Sequence, residues 1–570
     1  MQKTWIGPPV VDSALVTRLA EELGVSQVVA RILAGRGHAD LATARAFLSP
    51  QIAELSSPLL FRGAGEAIER LRHAITRGER ILIFGDFDVD GVTATSLALR
   101  TLQKLGASVD YILPHRIRHG YGLSKNVLPE IFAKEPRVLL TVDCGIRSVE
   151  EIALVTQHGI DVLLTDHHEP GRELPPALAV VDPKQPGCLY PDKRLAAVGV
   201  MFQILRGLVD SLEHELDLTQ ELDLVALGTV ADVVPLEGEN RALVARGLEV
   251  MNSFERIGLL KLVEAAGIEE RVESWHLAYM LGPRINAAGR LGDASIAVQL
   301  LTSTDTAQAT AIARQLDDDN RRRQEFSSFT LNQAMDAIDR GTAGTDPAGI
   351  VLASNVWHPG VIGIASARVV ERFHRPCALI AMQGDRGRGS VRSIPGVDVC
   401  AVLERCDDLL VQHGGHEMAA GLTIERARVA EFRERFSNSV EMLLTEENRR
   451  PKVRIDCEIS ADEIEDPLLE QLDALGPFGF GNSRPTFLLR GASPFNRARV
   501  VGRGHLKLQL RREGKPPLDC IGFDLGARAE GGGWDENIDV IGHLAANDWN
   551  GRRMAQMQIV DFRAAQAVAR

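Results

Sequence analysis

Ile81-Leu82-Ile83-Phe84-Gly85-Asp86-Phe87-Asp88-Val89-Asp90-Gly91 decides how this chain is read. Four consecutive apolar residues predict a buried strand, and Gly85 ends it. Asp86, Asp88 and Asp90 follow at alternate positions, and Val92-Thr93-Ala94-Thr95-Ser96-Leu97-Ala98-Leu99 predicts the first turns of a helix. The acids therefore stand at the carboxyl end of a strand, where open α/β sheets bind ligands. Carboxylates this crowded repel one another, and a cation is the economical way to hold them ionised together. D-x-D-x-D-G also opens the EF-hand calcium loop. That loop needs Glu at its twelfth position, where this chain has Leu97, and a helix where this chain has a strand. The calcium reading is much the weaker of the two.

A chain of 570 residues is too long for one core, so three or four domains are expected. Apolar content of 45% and charged content of 25% belong to an ordinary globular protein. No apolar run is long enough to span a membrane, and the N-terminus lacks the apolar core of a secretory signal. The seven cysteines stand singly with no C-x-x-C pair, which argues against zinc ribbons and disulfide frameworks and fits a reducing cytoplasm. A net charge of -13 argues against a protein that coats DNA over its whole surface, but leaves room for a local basic face.

Residues 1–50 read as a polar helical scaffold, with capped starts at Asp12 and Ser26. From about 60 to 240, strand-like runs at 81–84, 109–113, 137–142 and 161–165 alternate with helices such as 67–76 and 148–158, which predicts βαβ units and a parallel sheet. Asp143 ends one of these strands, Asp166-His167-His168 ends another, and Asp232 follows a helical stretch. One such residue alone is usually a cap or a satisfied polar group. Several at the same ends of successive parallel strands converge on one edge. Asp86, Asp88, Asp90, Asp143, His167, His168 and Asp232 exceed the needs of one octahedral ion. They fit two divalent cations, Mn²⁺ or Mg²⁺, about 3.5–4 Å apart, the arrangement used for in-line attack on phosphorus. Within the loop, Asp88 and Asp90 are the stronger expected ligands and Asp86 the weaker. Whether His168 acts on a metal or on a phosphate is left open.

Arg284, Asn286 and Arg290 surround an Ala-Ala-Gly turn that is either a solvated loop or a phosphate contact. Residues 305–340 predict one long polar helix, and 345–425 a second α/β unit. From about 450 the pattern becomes short strands with turns, an all-β barrel of the OB kind. Between Asn482 and Pro516 stand Arg484, Arg490, Arg497, Arg499, Arg503, Lys507, Arg511, Arg512 and Lys515 against one acid, Glu513, with Phe478, Phe480, Phe487 and Phe495 nearby. That is either a footprint for a phosphate backbone or a solvated strand face over core phenylalanines.

Asp86-Phe87-Asp88-Val89-Asp90-Gly91, Val142-Asp143-Cys144-Gly145, Asp166-His167-His168 and Gly228-Thr229-Val230-Ala231-Asp232, in this order, resemble the successive motifs of the DHH phosphoesterase superfamily. Pro114-His115-Arg116 with Gly120-Tyr121-Gly122-Leu123, and Pro283-Arg284-Ile285-Asn286-Ala287-Ala288-Gly289-Arg290, resemble its exonuclease branch. Gly387-Arg388-Gly389-Ser390-Val391-Arg392-Ser393 with His413-Gly414-Gly415-His416 resembles the DHH-associated domain. The resemblance implies an α/β fold with a parallel-sheet DHH catalytic domain (51–303), a long linking helix (304–342), a DHH-associated substrate-binding domain (343–447) and a C-terminal OB-fold barrel (448–570), after the helical extension 1–50. It implies a metal-dependent 5′→3′ exonuclease that degrades single-stranded DNA to mononucleotides in DNA repair and recombination. Asp143, His168 and His416 would serve catalysis. Arg116, Ser390 and Arg392 would hold the 5′ end, Tyr121 would stack on a base, and Gly414, Gly415 and His416 would meet the nucleotide or scissile phosphate across a cleft. Partners implied are a single-stranded-DNA-binding protein and a helicase, for a monomer with no membrane. Smaller relatives acting on short oligonucleotides or cyclic dinucleotides, and a non-catalytic DNA-binding scaffold, are the alternatives.

Overall fold

The computed structural model describes residues 3–115, 118–120, 122–342, 344, 347–502, 504–529, 536–549 and 552–565. It divides into two compact units. The larger comprises Trp5–Gly282, Ala297–Thr310 and Val453–Arg570; the smaller comprises Met1–Thr4, Pro283–Ile296 and Ala311–Lys452.

In the larger unit, helices α1 (Ser13–Leu23), α2 (Gln27–Gly35) and α3 (Leu41–Leu48) begin as expected, with Asp12 accepting from the Ala14 amide and Ser26 from Val29. Their apolar faces have a partner the sequence did not name. Leu19, Val29 and Leu33 share one core with Leu469, Phe487 and Leu508, far along the chain. Polar contacts reinforce it: Arg36 Nε lies 2.9 Å from Asp456 Oδ1, and its Nη1 donates to Asn482 Oδ1 at 2.7 Å.

The catalytic-side sheet follows. Its strands are β1 (Arg80–Gly85), then, after helix α4 (Val89–Lys104), β2 (Ser108–Ile112), β3 (Val138–Val142), β4 (Asp161–Thr165) and β5 (Ala179–Val181). All pair parallel, in the order β2-β1-β3-β4-β5. The apolar runs of the central strands are continuous because helices cover both faces there; β3 is buried at every residue, while the edge strand β2 is only half-buried. Helix α4 is buried almost all round and packs against α5 (Ala197–Ser211) and α6 (Leu222–Ala231). A buried ion cluster ties the C-terminal half of α4 to the start of α6: Glu221 receives Lys104 at 2.6 Å, Arg256 at 2.8 Å and Arg100 at 3.0 Å, and Arg256 also reaches Asp223 at 2.7 Å. The opposite ends of the same two helices carry Asp90 and Asp232.

Residues Gly282–Leu291 form helix α7, so Arg284, Asn286 and Arg290 sit on a helix and not around a turn. The Ala-Ala-Gly run is not a bend: Ala287 and Ala288 are fully buried, and small residues let this helix pack closely. The long helix α8 (Thr306–Asp339) is continuous for 34 residues, as its polar pattern predicts. In the smaller unit, β6 (Ile350–Ser354), helix α9 (Ile362–Phe373), β7 (Cys377–Gln383), β8 (Arg386–Arg392), β9 (Leu410–His416) and β10 (Ala419–Glu425) build a second sheet in the order β9-β10-β8-β7-β6.

Back in the larger unit, β11 (Phe487–Ala492), β12 (Arg499–Val501), β13 (His505–Leu510), β14 (Leu518–Gly522), β15 (Ile538–Trp549) and β16 (Arg552–Ala564) pair in the order β11-β15-β16-β14-β13-β12. The ring closes where the residues after β11 meet β13: the Phe495 amide donates to the Gln509 carbonyl at 2.7 Å, and Arg511 to Ser493 at 2.8 Å. Among the described residues no helix is long and apolar enough to cross a membrane.

Burial alone would raise the Glu221 carboxyl, but Arg256, Arg100 and Lys104 outweigh it and hold it at about 2. Its contribution to stability is therefore complete above its ordinary value of 4.5 and is lost as pH falls from there towards 2. Glu221→Gln leaves buried cations uncompensated and should destabilise the protein by about 3 kcal/mol at pH 7. It should also flatten the stability profile between about pH 4.5 and 2. Denaturant unfolding across that range checks this; a variant with the wild-type acid limb contradicts it.

Candidate functional site

The strand order determines where the site lies. The chain runs from β1 to β2 on one flank, then returns to place β3 on the other, so the order reverses between β1 and β3. A crevice opens outside the carboxyl ends of such a pair. Asp86 leaves β1 into it and Asp143 leaves β3; Asp166, His167 and His168 leave β4. Asp143 turns there with φ 63°, a left-handed conformation that Asp tolerates better than most residues. Asp232 arrives from the end of α6. Gly228, one turn earlier, permits that approach: a Cβ there would lie 2.3 Å from Thr93 Oγ1 and 3.1 Å from Asp90 Oδ1.

All seven expected ligands are brought together. Potential donor atoms of Asp86, Asp88 and Asp143 lie within 4.8 Å of one another, as do those of Asp90, His167 and Asp232, and those of Asp143, His167 and His168. His167 Nε2 is 3.3 Å from Asp143 Oδ1, 3.6 Å from Asp232 Oδ2 and 3.8 Å from Asp90 Oδ2. His167 Nε2 and Asp143 Oδ1 are buried with no hydrogen-bond partner among the described residues. Buried polar atoms are normally satisfied. Two orphans among clustered carboxylates fit a divalent cation that accepts oxygen and imidazole donors.

The electrostatics agree. Burial, then the neighbouring Asp90, Asp88, Asp86 and Asp232, push Asp143 well above the carboxylate range. Asp232 is raised by burial and by Asp90 and Asp88, and Asp90 by burial and Asp88 to about 7. These acids cannot all ionise without added positive charge. The two histidines diverge. Burial and then His168 push His167 down to about 3, and its ring is hydrogen-bonded to the Leu195 backbone, leaving a neutral imidazole. Burial works against charge on His168 too, but the hydrogen bond to Asp166 and the nearby acids overcome it and lift His168 to about 9. Its Nδ1 lies 2.7 Å from Asp166 Oδ1.

Asp90 has a second task within the acidic loop. Both Asp90 oxygens already accept amides from the first turn of α5: Oδ2 from Ala197 at 2.7 Å and Oδ1 from Val198 at 2.9 Å. Asp90 thus clamps the loop to a helix N-terminus, which favours a carboxylate. Asp86 shares a donor group with Asp88 and Asp143, and Asp90 one with His167 and Asp232. Asp166, which the sequence placed within a motif without a role, accepts from the His167 amide at 2.8 Å, the His168 amide at 3.2 Å and the Ile146 amide at 3.0 Å, besides the His168 ring. It positions both histidines.

In the smaller unit, register aligns the remaining candidates. His416, Ala419 and Arg392 lie in one row across β9, β10 and β8; Gly414, Gly421 and Ser390 lie in another. Gly363, in the first turn of α9, packs against this patch: a Cβ there would lie 2.9 Å from Ser390 Oγ and 3.0 Å from Arg392 Nη2. A hydroxyl, a guanidinium and a helix N-terminus together suit an anion. Gly415 is required for a different reason than ligand approach, since its Cβ would lie 2.4 Å from the Ala419 carbonyl of the neighbouring strand. At Gly414 a Cβ would meet nothing within 4 Å. Arg284 bonds Asp317 at 2.9 Å, and Arg290 donates to the Gly360 carbonyl at 3.2 Å, so both have internal partners. Asn286 is half-buried on the same helix. Arg116, Tyr121 and Arg503 lie outside the described residues.

The basic barrel segment is less open than its composition suggests. Arg484 pairs with Glu273, Arg490 with Glu458, Lys507 with Asp519 and Lys515 with Glu465, while Arg512 donates to the Ile464 carbonyl. Arg497, Arg499 and Arg511 remain exposed, with Arg511 over the Phe495 ring. Phe487 is core.

Comparison with known proteins agrees in every region. A family model described as the DHH family, N-terminal domain, matches residues 80–229, one described as the DHHA1 domain matches 346–442, and one described as the RecJ OB domain matches 455–561. The single-stranded-DNA-specific exonuclease RecJ of Bacillus subtilis is 38% identical over 556 residues, covering 96% of this chain and 70% of that protein. The crystal structure of RecJ in complex with Mn²⁺ from Thermus thermophilus superposes with TM-score 0.85 at 32% identity, over 99% of this chain and 80% of that one. The Mg²⁺ complex from the same organism gives 0.79 at 30% identity, over 99% and 79%.

Asp166→Asn replaces an acceptor that charges His168 with an amide that cannot. The His168 pKa should fall from about 9, read by NMR titration of the ring, and activity should fall about 10–100-fold. An unchanged titration would show that Asp166 does not set the charge of His168.

Proposed function

Because the chain belongs to the RecJ family of single-stranded-DNA-specific exonucleases, we propose that its buried carboxylate and imidazole cluster is the divalent-cation centre of such an enzyme. The observation that carries this reading is Asp143, which belongs to both the Asp86/Asp88 and the His167/His168 donor groups and whose Oδ1 is buried with no hydrogen-bond partner among the described residues. A carboxylate shared in this way would help to hold two divalent cations, Mn²⁺ or Mg²⁺. Asp86 and Asp88 complete one set, and His167 with Asp232 the other; Asp90 contributes mainly by fixing the loop.

Divalent cations at these positions supply an acidified water as nucleophile and neutralise charge building on the phosphoryl group. The protein does the rest. Neutral His167 offers a lone pair where a charged ring could not. His168, with Nδ1 on Asp166 Oδ1, would donate to a phosphoryl oxygen in the transition state. Ser390, Arg392 and the first turn of α9 form the pocket for a terminal 5′ phosphate, with His416 and Gly414 beside it on the adjacent strands. That pocket would set 5′→3′ polarity and the release of mononucleotides. Arg497, Arg499 and Arg511 with Phe495 contact the strand further along. The seven cysteines, free among the described residues, suit a reducing cytoplasm. There the enzyme would act as a monomer in DNA repair and recombination, beside a helicase and a single-stranded-DNA-binding protein that expose its substrate.

With Mn²⁺ and a 5′-labelled single strand, the wild type should release labelled mononucleotide from the first turnover, spare a duplex and stop with EDTA. Folded Asp143→Ala should lose activity roughly a thousandfold or more. Near-normal hydrolysis by that variant, or mononucleotide label released sooner from a 3′-labelled strand than from a 5′-labelled one, would defeat the assignment.

A further inference from the structure

Asp232 is followed by Val233, whose backbone lies in the left-handed region at φ 61°. A β-branched residue is strongly disfavoured there, and Gly or Asn would end the helix at lower cost. The Val233 side chain is also 61% exposed. Three residues on, the Leu236 amide donates to the Phe480 carbonyl at 2.8 Å. Phe480 belongs to the loop Gly476-Pro477-Phe478-Gly479-Phe480-Gly481-Asn482 that leads into the barrel. This loop is tied down along its length. Arg241 donates to the Gly476 carbonyl at 2.6 Å, Ser274 to Phe478 at 2.6 Å, and the Asn482 amide group to both Leu475 and Pro477 at 2.9 Å. Gly479 sits so close to Leu236 that a Cβ would lie 2.6 Å from its side chain. So restrained a loop has little freedom to fold Phe480 away, and the ring stays 60% exposed. Beside Ser274 the same holds for Trp275, 41% exposed, and for Tyr279, 77% exposed within a π-turn, Leu277–Leu281, that packs on α6. Single π-turns concentrate at functional sites.

Large apolar side chains left in water in a series mark an interaction surface. This series starts at a residue adjoining Asp232 and ends at the barrel. We propose that Val233, Trp275, Tyr279 and Phe480 form a track on which the bases of single-stranded DNA stack between the cation centre and the barrel. The inference deepens the exonuclease reading and rests on it. Every base offers a π-face, so such a track tolerates any sequence. A duplex has its base faces already stacked within itself, so the same track discriminates against double strands without any gate. Arg484, over the Phe478 ring at 4.9 Å, adds a guanidinium at the edge where a phosphate backbone would run.

The test uses the full-length Mn²⁺-loaded enzyme and 5′-labelled strands of about 40 and about 5 nucleotides, the longer also with a fluorescent 2-aminopurine internally. Phe480→Ala should raise KM for the long strand about tenfold, on the scale of one lost base stack, and narrow the preference for long over short. Phe480→Trp should restore it, Phe480→Leu should not, and the quenching of 2-aminopurine on binding should weaken in the Ala and Leu variants. Val233→Gly should melt higher, because backbone strain is relieved, and yet bind the strand more weakly. An unchanged KM in Phe480→Ala, or rescue by Leu as complete as by Trp, overturns the track and points to a protein-binding patch. A wild-type enzyme that leaves every single strand intact would instead overturn the exonuclease reading.

Discussion

Carboxylates packed into one buried crevice repel one another, and the structure is arranged around that repulsion. Asp143, Asp232 and Asp90 are all pushed towards the protonated form by burial and by each other. The protein offsets the strain locally with amide dipoles and with the His168 ring. The first turn of α5 takes Asp90 with two amides, and three amides and the His168 imidazole take Asp166. What is left unbalanced, around Asp143 and His167, is the part that a divalent cation completes. The frame that holds this arrangement lies at the far ends of α4 and α6. There the balance is reversed, with Arg100, Lys104 and Arg256 around Glu221 and Asp223.

Much of this was legible from the chain alone, for physical reasons. A parallel sheet buried on both faces writes its strands as unbroken apolar runs, and the switch in strand order puts the residues that end β1 and β3 in one crevice. What stayed hidden depends on partners distant in sequence. That Asp90 also clamps the loop was hidden because the amides it accepts lie 107 and 108 residues later. The basic barrel segment looked unopposed because Glu273, Glu458, Glu465 and Asp519 lie outside it. Arg284 looked like a loop residue because Ala-Ala-Gly suggests a bend, whereas here small residues serve close helix packing. Strand β5 is three residues long and too short to show a period. The N-terminal helices looked like a scaffold of their own, because a core shared with residues so far along the chain leaves no local pattern.

Selectivity then follows in layers from the same chemistry. The cluster supplies an oxygen-and-imidazole site suited to hard divalent cations. The proposed anion cradle on β8 and α9 would take a terminal phosphate, and the proposed track near Asp232 would take unpaired bases. Each layer uses rigidity: clamped carboxylates, a helix N-terminus and a tied loop present their groups with little ordering cost on binding.

The central claim is that the crowded acids exist to hold cations. Anomalous diffraction at the manganese edge, on crystals grown with Mn²⁺, tests it most directly. The account predicts two peaks that share Asp143 as a ligand, one with Asp86 and Asp88 and the other with His167 and Asp232. No peak in the crevice, or a peak that does not touch Asp143, would contradict it.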